Sequence, residues 1–321
     1  MKNLILIGFL TNQFFTTFGQ QIEDVFRTVD KKGRPENASE QWLIDGLYNL
    51  SIAQTTLTNW AAGGNNNFNI SGVLRQRAIK QFNGWNWFNL LEANLGYNFQ
   101  ENLTVKTDDR LEFTTRLDKS IGASKWNVSL FVNFRTQFAD GFRAPTDSIR
   151  ISTFMAPAYL SYGIGMTNTG IKDLSVYISP IQVKQTFVLD DSLFERNQFF
   201  DKTIPNITQF STGGLRTEMG AFFEAIFKKK LQENVEIFSR LNLFSNYLDR
   251  PQNIDVNWDN IIVFKIYKYL SVNFQLQMIY DDDVLVKDTS GDGVANAPAL
   301  QLRQILGLGF AYSFSNKKSS N

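Results

Sequence analysis

The chain has 321 residues, of which 43% are hydrophobic and 20% are charged, so it is neither a mini-protein nor a disordered chain. Its 32 Lys and Arg residues balance 31 Asp and Glu residues, which leaves no basic excess for binding nucleic acid. Cysteine and histidine are absent, which excludes disulfides, thiolate metal sites and histidine-based catalytic triads. Because the commonest general base is missing, we expect that the protein is not an enzyme.

Residues 1–19 have the pattern of a secretory signal peptide. Lys2 precedes a short apolar run at 4–10, and the small residues Thr17 and Gly19 precede the expected cleavage site. The apolar run is too short to span a bilayer as a helix. An ordinary buried N-terminal helix is the alternative. The pattern predicts export of the mature chain.

Residues 20–41 are polar and have no apolar period. They contain a glycine and a proline, and we predict a periplasmic linker there. No second domain boundary follows, and no later run of apolar residues is long enough for a membrane-spanning helix. We expect one domain at 42–314 and a polar tail at 315–321.

Strict alternation of apolar and polar residues dominates the predicted domain. In the stretch 126–138 the even positions are mostly Trp, Val, Leu and Phe, and the odd positions are mostly Asn, Ser, Arg and Gln. Residues 272–280 and 300–314 repeat the pattern. A period of two is that of a β-strand, whose successive side chains point to opposite faces. It predicts twelve strands, at 45–58, 66–80, 84–99, 107–120, 124–139, 154–168, 172–188, 213–230, 234–248, 254–267, 270–281 and 299–314.

The predicted strands are longer than those of soluble sandwiches. About 13 residues at roughly 3.3 Å each, tilted by about 40°, cross a bilayer with its interfaces. Short joins alternate with longer polar links, as in outer-membrane barrels, and Trp and Tyr residues cluster near strand ends. A soluble β-sandwich with an aromatic core is the alternative. We predict an all-β protein, a single antiparallel transmembrane β-barrel of about twelve strands in the outer membrane.

Two details of this layout are less regular than the rest. Residues 100–107 are assigned to a long link, so the fourth strand is expected to begin at Thr107. Pro180 lies inside the seventh strand, where it removes a donor from the hydrogen-bond ladder and weakens the strand assignment.

Several longer stretches resemble a known family. They are NLSIAQTTLTNWAAGG (49–64), KTDDRLEF (106–113), RTQFADGF (135–142), APAYL (156–160), LFSNYLDRPQNIDVNWDN (243–260) and IYDDDV (279–284). Together they are similar to a family of exported Bacteroidota proteins that is catalogued only as a domain of unknown function. The resemblance covers nearly all of residues 42–314. It implies an outer-membrane β-barrel, and it supplies no substrate or catalytic residue.

If the apolar positions face lipid, the alternate positions line the barrel lumen. Charges of both signs occur there in similar number, which fits either a selective pore or a wet core of internal ion pairs. Phenylalanines at the same face would narrow the lumen or bind an amphipathic solute. The candidate lumen and selectivity residues are Arg75, Arg77, Glu92, Arg110, Glu112, Arg116, Arg135, Glu218, Glu236, Arg240 and Arg303.

Two loops have more specific readings. Asp288, Ser290 and Asp292, followed by a glycine, have the spacing that begins a calcium loop, but Ala299 stands where a loop of that type needs Glu. They are a weak candidate for a structural calcium site, and the alternative is a solvated acidic turn. Residues 59–67 could fold into the lumen as a plug, although ordinary turn chemistry is the simpler interpretation.

For function we expect a narrow porin-like channel for passive transport of a small polar or amphipathic solute. The alternative is a non-conducting structural or accessory barrel of an outer-membrane assembly or secretion complex. The expected partners are outer-membrane lipid and the barrel assembly machinery, which would recognise the aromatic C-terminal strand. We expect no cofactor beyond the weak calcium site.

Overall fold

The structure is a computed structural model, and it describes residues 42–56, 66–100, 103–142, 149–196, 199, 206–267, 269–287 and 297–316. The predicted signal peptide, the predicted linker, most of the tail and most of the 59–67 loop lie outside these residues. No helix in the described part is long and apolar enough to cross a membrane.

Twelve long strands form the domain, as predicted. They are β1 (Leu43–Thr55), β2 (Asn67–Phe82), β3 (Trp85–Gln100), β4 (Leu103–Ser120), β5 (Trp126–Thr136), β6 (Ala158–Ile171), β7 (Leu174–Val188), β8 (Gly214–Gln232), β9 (Val235–Asn246), β10 (Ile254–Tyr267), β11 (Leu270–Tyr280) and β12 (Gln301–Ser315). Each strand pairs antiparallel with its sequence neighbour. β12 also pairs with β1, from Asp45 opposite Ser315 to Ser51 opposite Gly309. The sheet therefore closes into a barrel.

The two faces of the barrel follow the alternation of the sequence. On β12, Leu302, Leu306 and Phe310 point outward and are exposed, and Leu306 keeps 74% of its surface. On β5, Leu130 points outward, whereas its neighbour Ser129 points inward and is fully buried. An exposed apolar exterior around a polar interior is the pattern of a barrel that sits in lipid.

The indole N–H groups of two outward-facing tryptophans form hydrogen bonds within the sheet. The Trp87 indole N–H donates to the Thr115 hydroxyl at 2.9 Å, and the Trp258 N–H donates to the Ser239 hydroxyl at 2.8 Å. Both acceptors lie on neighbouring strands. A tryptophan can therefore face lipid without an unpaired donor, which would be costly there.

The two ends of the barrel differ in the length of their connections. At one end the chain turns within a few residues, as at Asn83 and Gly84, whose positive φ angles of 47° and 75° are those of a type I′ hairpin turn. Both ends of the barrel chain, at β1 and β12, lie at this short-turn end. The opposite, long-loop end carries the connections after β5, β7 and β11.

The predicted long link at 100–107 is wrong. β4 begins at Leu103, and Gln100 pairs with Leu103, so only two residues separate β3 from β4. The pairing slips by one residue between Gly96 and Tyr97, where Thr107 is the extra residue of a β-bulge. The bulge resets the alternation, and this interruption of the polar pattern resembles a loop in the sequence.

Pro180 lies within β7 without ending it. The pairing of β7 shifts register at this point against both neighbours, β6 and β8. The Ser179 hydroxyl donates to the carbonyls of Ile164 and Ile181, at 2.8 Å and 2.9 Å. A proline at a bulge removes no ladder donor, so the strand continues through it.

A small structured cap covers part of the long-loop end. Helix α1 (Asp191–Glu195) follows β7, and its side chains Leu193 and Phe194 pack with Ala156 and Val188 in a buried apolar cluster. Three short strand pairs accompany it, formed by Gly141–Phe142 with Arg150–Ser152, Ile207–Gln209 with β8, and Leu285–Lys287 with Ala297–Pro298. The cap therefore ties the β5–β6 loop to the β7–β8 loop.

Candidate functional site

The strand register places all of the predicted lumen residues on the inner face. Glu92 on β3 lies between Arg75 on β2 and Glu112 on β4, and Glu112 is in turn opposite Arg135 on β5. The remaining candidates occupy the same face of their strands; they are Arg77, Arg110, Arg116, Glu218, Glu236, Arg240 and Arg303. The interior is a candidate transport lumen, and its shape depends on how these charges pair.

One guanidinium spans the middle of the lumen. Arg240 on β9 reaches Glu224 at 2.8 Å, Glu112 on β4 at 3.3 Å and Glu92 on β3 at 3.7 Å. β3 and β9 lie on opposite sides of the twelve-stranded barrel. A single buried side chain therefore connects opposite walls.

Further contacts extend this connection. Arg110 on β4 lies 3.8 Å from Asp259 on β10, and the Arg75 guanidinium lies 4.9 Å above the Phe238 ring on β9. Arg75 and Arg110 also donate to Glu92 and Glu112 on their own side, through their Nε atoms, at 2.8 Å and 2.7 Å. We call this set the partition: Arg75, Glu92, Arg110, Glu112, Glu224, Phe238, Arg240 and Asp259.

The half of the lumen beside β5–β8 is filled by side chains. The Phe131 ring stacks on the Tyr177 ring at a centroid distance of 5.2 Å, and the Phe222 ring is tilted against both, at 5.8 and 6.1 Å. Around them Ser129 and Gln182 are fully buried. We call this half the closed lobe. Its contacting rings form a small apolar core inside a polar lumen.

The other half of the lumen, beside β11, β12, β1 and β2, is less filled. Between its charged residues, its inner face carries small or amide side chains, such as Ser51, Asn273 and Gln275, and apolar ones, such as Leu47 and Val73, all of them only partly buried. A cavity of about 90 Å³ lies between this wall and the partition and reaches Tyr267 and Tyr269 at the short-turn end. We call this half the open lobe.

A larger cavity of about 350 Å³ lies toward the long-loop end, between Lys106, Arg135 and Gln277. It shares three lining residues with the 90 Å³ cavity, namely Arg110, Gln277 and Arg303. These three side chains therefore form the narrow boundary between an outer and an inner chamber. A third cavity of about 60 Å³ lies on the short-turn side of the partition, near Arg77 and Arg116.

Most of the other predicted site residues form ion pairs on their own or a neighbouring strand, whereas Arg303 on β12 reaches Asp108 on β4 and Arg135 contacts an aromatic ring. Arg77 donates to Asp45 at 3.0 Å, Arg116 to Asp118 at 2.9 Å, and Lys265 to Glu236 at 2.9 Å. Glu218 lies 3.2 Å from Arg216 and 3.6 Å from Lys184. Arg303 pairs with Asp108, and Arg135 lies 4.7 Å above the Tyr159 ring.

Several important lumen residues were not singled out from the sequence. Asp45, Asp108 and Asp259 are the acids that pair with predicted arginines, and Lys184 and Lys265 pair with predicted glutamates. All five lie at inward positions of their strands. Continuing the period of two through every predicted strand could have found those within the predicted bounds.

The acidic residues before the predicted calcium loop are engaged by basic groups. Arg250 donates to Asp282 at 2.6 Å and to Asp283 at 2.8 Å, and Asp283 also pairs with Arg216. Asp288, Ser290 and Asp292 lie outside the described residues. Within the part of the chain that the structure describes, no group of three or more acids is arranged to hold a metal.

Asp190 anchors the cap at the long-loop end. Its carboxylate accepts from the Ser192 hydroxyl at 2.6 Å and from the Leu193 backbone N–H at 3.0 Å, and it pairs with Arg150. Burial opposes ionisation, but these hydrogen bonds and the guanidinium outweigh it, and the pKa of Asp190 lies below the ordinary value of 3.8. The cap is thus held by an ionised N-cap residue.

Comparison with known proteins gives a family match and several solved structures. Residues 52–142 match the family described as protein of unknown function (DUF3078). The translocator domain of the autotransporter NalP from Neisseria meningitidis is 8% identical, with 93% of this chain and 95% of that chain covered and a TM-score of 0.35. The COG4313 outer membrane channel from Pseudomonas putida F1 is 12% identical, with coverages of 88% and 100% and a TM-score of 0.39. The NanC porin is 7% identical, with 83% of this chain and 97% of that chain covered and a TM-score of 0.34. No curated protein matches the chain in sequence.

Proposed function

We propose that the protein is an outer-membrane barrel with a narrow, off-axis path for small polar solutes through the open lobe. The exposed apolar exterior and the closed sheet support a lipid environment. The signal-like segment at 1–19 and the resemblance to exported Bacteroidota proteins support the outer membrane as its location. The short-turn end, with both chain ends, is then the periplasmic side.

One observation gives the main support for the proposed solute path. Arg110, Gln277 and Arg303 line both the outer chamber and the inner chamber, so the two chambers meet at these three side chains. The partition and the closed lobe fill most of the rest of the cross-section, and the 60 Å³ cavity, which shares Arg75, Lys228, Phe238 and Arg240 with the inner chamber, lies on the far side of the partition. A solute that crosses the barrel therefore moves along β11, β12 and β1.

The size of the inner chamber limits what can pass. A water molecule needs roughly 10–15 Å³ of cavity volume, so the inner chamber, at about 90 Å³, holds roughly six to nine waters. That suits ions and solutes of a few heavy atoms. The inner chamber is lined by apolar side chains such as Leu47 and Val73 as well as by the amides of Asn273 and Gln275, so its wall suits a small solute that is polar or amphipathic.

A non-conducting accessory barrel is the second candidate, and the partition favours it. A lumen crossed by buried ion pairs is a filled core, which is the arrangement expected of a barrel with a structural role. In that role its partners would bind the exterior or the loops. In either role we expect the barrel assembly machinery to recognise the aromatic strand β12. We propose no enzymatic activity and no required cofactor.

Single-channel recording of the folded barrel in a planar bilayer distinguishes the two candidates. The matched variants are Gly307→Phe and Gly72→Phe. A Cβ atom added at Gly307, which faces the open lobe, would meet only Ser51, at 3.4 and 3.8 Å. A Cβ atom added at Gly72, which pairs with the outward residue Leu50, would meet no atom within 4 Å. Heat-modifiable gel mobility confirms that each barrel is folded.

We expect small, discrete current steps for the natural protein. Gly307→Phe should abolish or strongly reduce them, and Gly72→Phe, whose new ring faces lipid, should leave them unchanged. A folded barrel that carries no current would refute the path and support the accessory role. Equal currents in all three proteins would show that solutes cross elsewhere.

A further inference from the structure

Charges along the path are not balanced, although those of the whole lumen nearly are. The outer chamber is lined by the basic residues Lys106, Arg110, Arg135 and Arg303 and by only two acids, Asp108 and Asp109. The inner chamber adds three acids, Glu92, Glu236 and Asp259, against the basic residues Arg75, Lys228, Arg240 and Lys265. Each chamber therefore has more cationic than anionic groups at its wall.

The acids that restore neutrality lie away from this path. Glu112 and Glu224 are buried in the partition, and Asp118 and Glu218 are buried on the far side, toward the closed lobe. Asp45 pairs with Arg77 at the short-turn end and is also buried. The lumen thus separates its charges, and the basic side chains line the space left for solute.

The ion pairs of the path also expose their basic member more than their acid. In the pair Arg303–Asp108 the arginine side chain is 33% exposed and the aspartate 8%, and in Arg75–Glu92 the values are 18% and 8%. Arg110–Glu112 and Lys106–Asp109 show the same asymmetry. Two pairs are exceptions: Asp259 is about as exposed as Arg110, and Glu92 is about as exposed as Arg240. In most pairs a passing ion therefore meets the cation first, with the carboxylate behind it.

We infer that the path selects small anions, in the range from chloride to a short carboxylate. This inference rests on the proposed path and names the class of solute that it takes. Exposed guanidinium and ammonium groups at a constriction stabilise an anion that sheds part of its hydration, and they repel cations. Low-dielectric walls on both sides strengthen this field. The narrow boundary at Arg110 and Arg303 is where the effect should be largest.

The test is the reversal potential of the purified, full barrel across a gradient of potassium chloride. Arg303→Gln removes the most exposed cation of the boundary, and Asp108→Asn removes the acid behind it. Lys125→Gln is the matched control, because Lys125 is an exposed cation in the β4–β5 turn that lines none of the three cavities. Gel mobility verifies the folding of each protein.

We expect chloride to be more permeant than potassium in the natural protein. One unit charge at roughly 4 Å in a water-like dielectric changes local ion concentration about fivefold. Because the charge acts on chloride and potassium in opposite directions, Arg303→Gln should lower the chloride-to-potassium permeability ratio by up to about 25-fold. Asp108→Asn should raise the ratio, and Lys125→Gln should leave it unchanged.

The possible failures are distinguishable. A folded barrel without current refutes the proposed path and the anion preference together. A conducting barrel that prefers potassium, or whose ratio does not respond to Arg303→Gln and Asp108→Asn, keeps the path and refutes the anion preference alone. Because the two variants act in opposite directions, a misfolded Arg303→Gln protein would still leave a decisive result from Asp108→Asn.

Discussion

Arg240 is the residue whose removal tests the partition most sharply. Its guanidinium is buried and lies within 4 Å of Glu92, Glu112 and Glu224, which come from both walls of the barrel. The variant Arg240→Met keeps most of the side-chain volume and removes the charge. We expect a large loss of stability.

The size of the expected stability loss depends on which ion-pair partners each acid keeps in the variant. Glu92 retains Arg75 and Glu112 retains Arg110, whereas Arg240 is the only ion-pair partner of Glu224 among the described residues. The variant therefore leaves the buried Glu224 carboxylate without its arginine partner. Removing one member of a buried pair costs about 3–5 kcal/mol, most of it from the charge left behind.

Urea unfolding of the barrel in lipid vesicles measures this cost. Arg240→Met should lower the free energy of unfolding by about 3–5 kcal/mol, and the double variant Arg240→Met with Glu224→Gln should recover most of the loss because no charge is stranded. The control Lys125→Met removes an exposed cation of the β4–β5 turn, leaves no buried carboxylate behind and should cost only about 0.5 kcal/mol or less.

An Arg240→Met protein within 1 kcal/mol of the natural protein would contradict the partition as described. So would a double variant that is as unstable as the single one, because the cost would then come from lost packing and not from the stranded carboxylate. The first result would mean that water in the lumen screens these charges.

Three further predictions follow from other parts of the barrel. Leu306→Arg puts a charge on the lipid face and should lower the free energy of unfolding in vesicles by about 2–4 kcal/mol. Ile305→Arg, at the adjacent position, points into the open lobe and should cost little. Equal costs for the two variants would contradict the assigned faces. Phe131→Ala should lower the free energy of unfolding by about 3–5 kcal/mol, since its ring is buried in the closed lobe, and a loss below 1 kcal/mol would argue that this lobe is loosely packed. Asp190→Ala should weaken the cap by about 1 kcal/mol, measured as faster hydrogen exchange of Leu193. Because the folded pKa of Asp190 is lowered, its contribution is complete above pH 3.8 and is lost only as the pH falls through the lower folded value; protection lost already at pH 5 would contradict this.

The strands could be predicted from the sequence because their cause is local. Alternation fixes which side chains share a face, and it located all twelve strands and the inward position of each candidate residue. It failed where the alternation is itself interrupted, at the bulge of Thr107. It also gave too much weight to Pro180, because a bulge against both neighbours cannot be read from one strand.

The shape of the lumen could not be predicted from the sequence. Arg240 and Glu112 are 128 residues apart, and their contact depends on the barrel closing and on opposite walls approaching each other. Alternation gives the face of each residue and not its partner across the lumen. The separation of charge between the open and closed lobes follows from those cross-lumen pairs, so a balanced count of inward charges does not reveal that basic side chains predominate around the two chambers.

The path through the open lobe is the central claim, and cysteine accessibility tests it most directly because the natural chain contains no cysteine. Gln275→Cys places a thiol on the wall of the inner chamber, and Ser129→Cys places one in the closed lobe. A small charged thiol reagent added during single-channel recording should change the current through Gln275→Cys at once and leave Ser129→Cys unaffected. Modification of Ser129→Cys with no effect at Gln275→Cys would place the path on the opposite side of the partition and contradict the account.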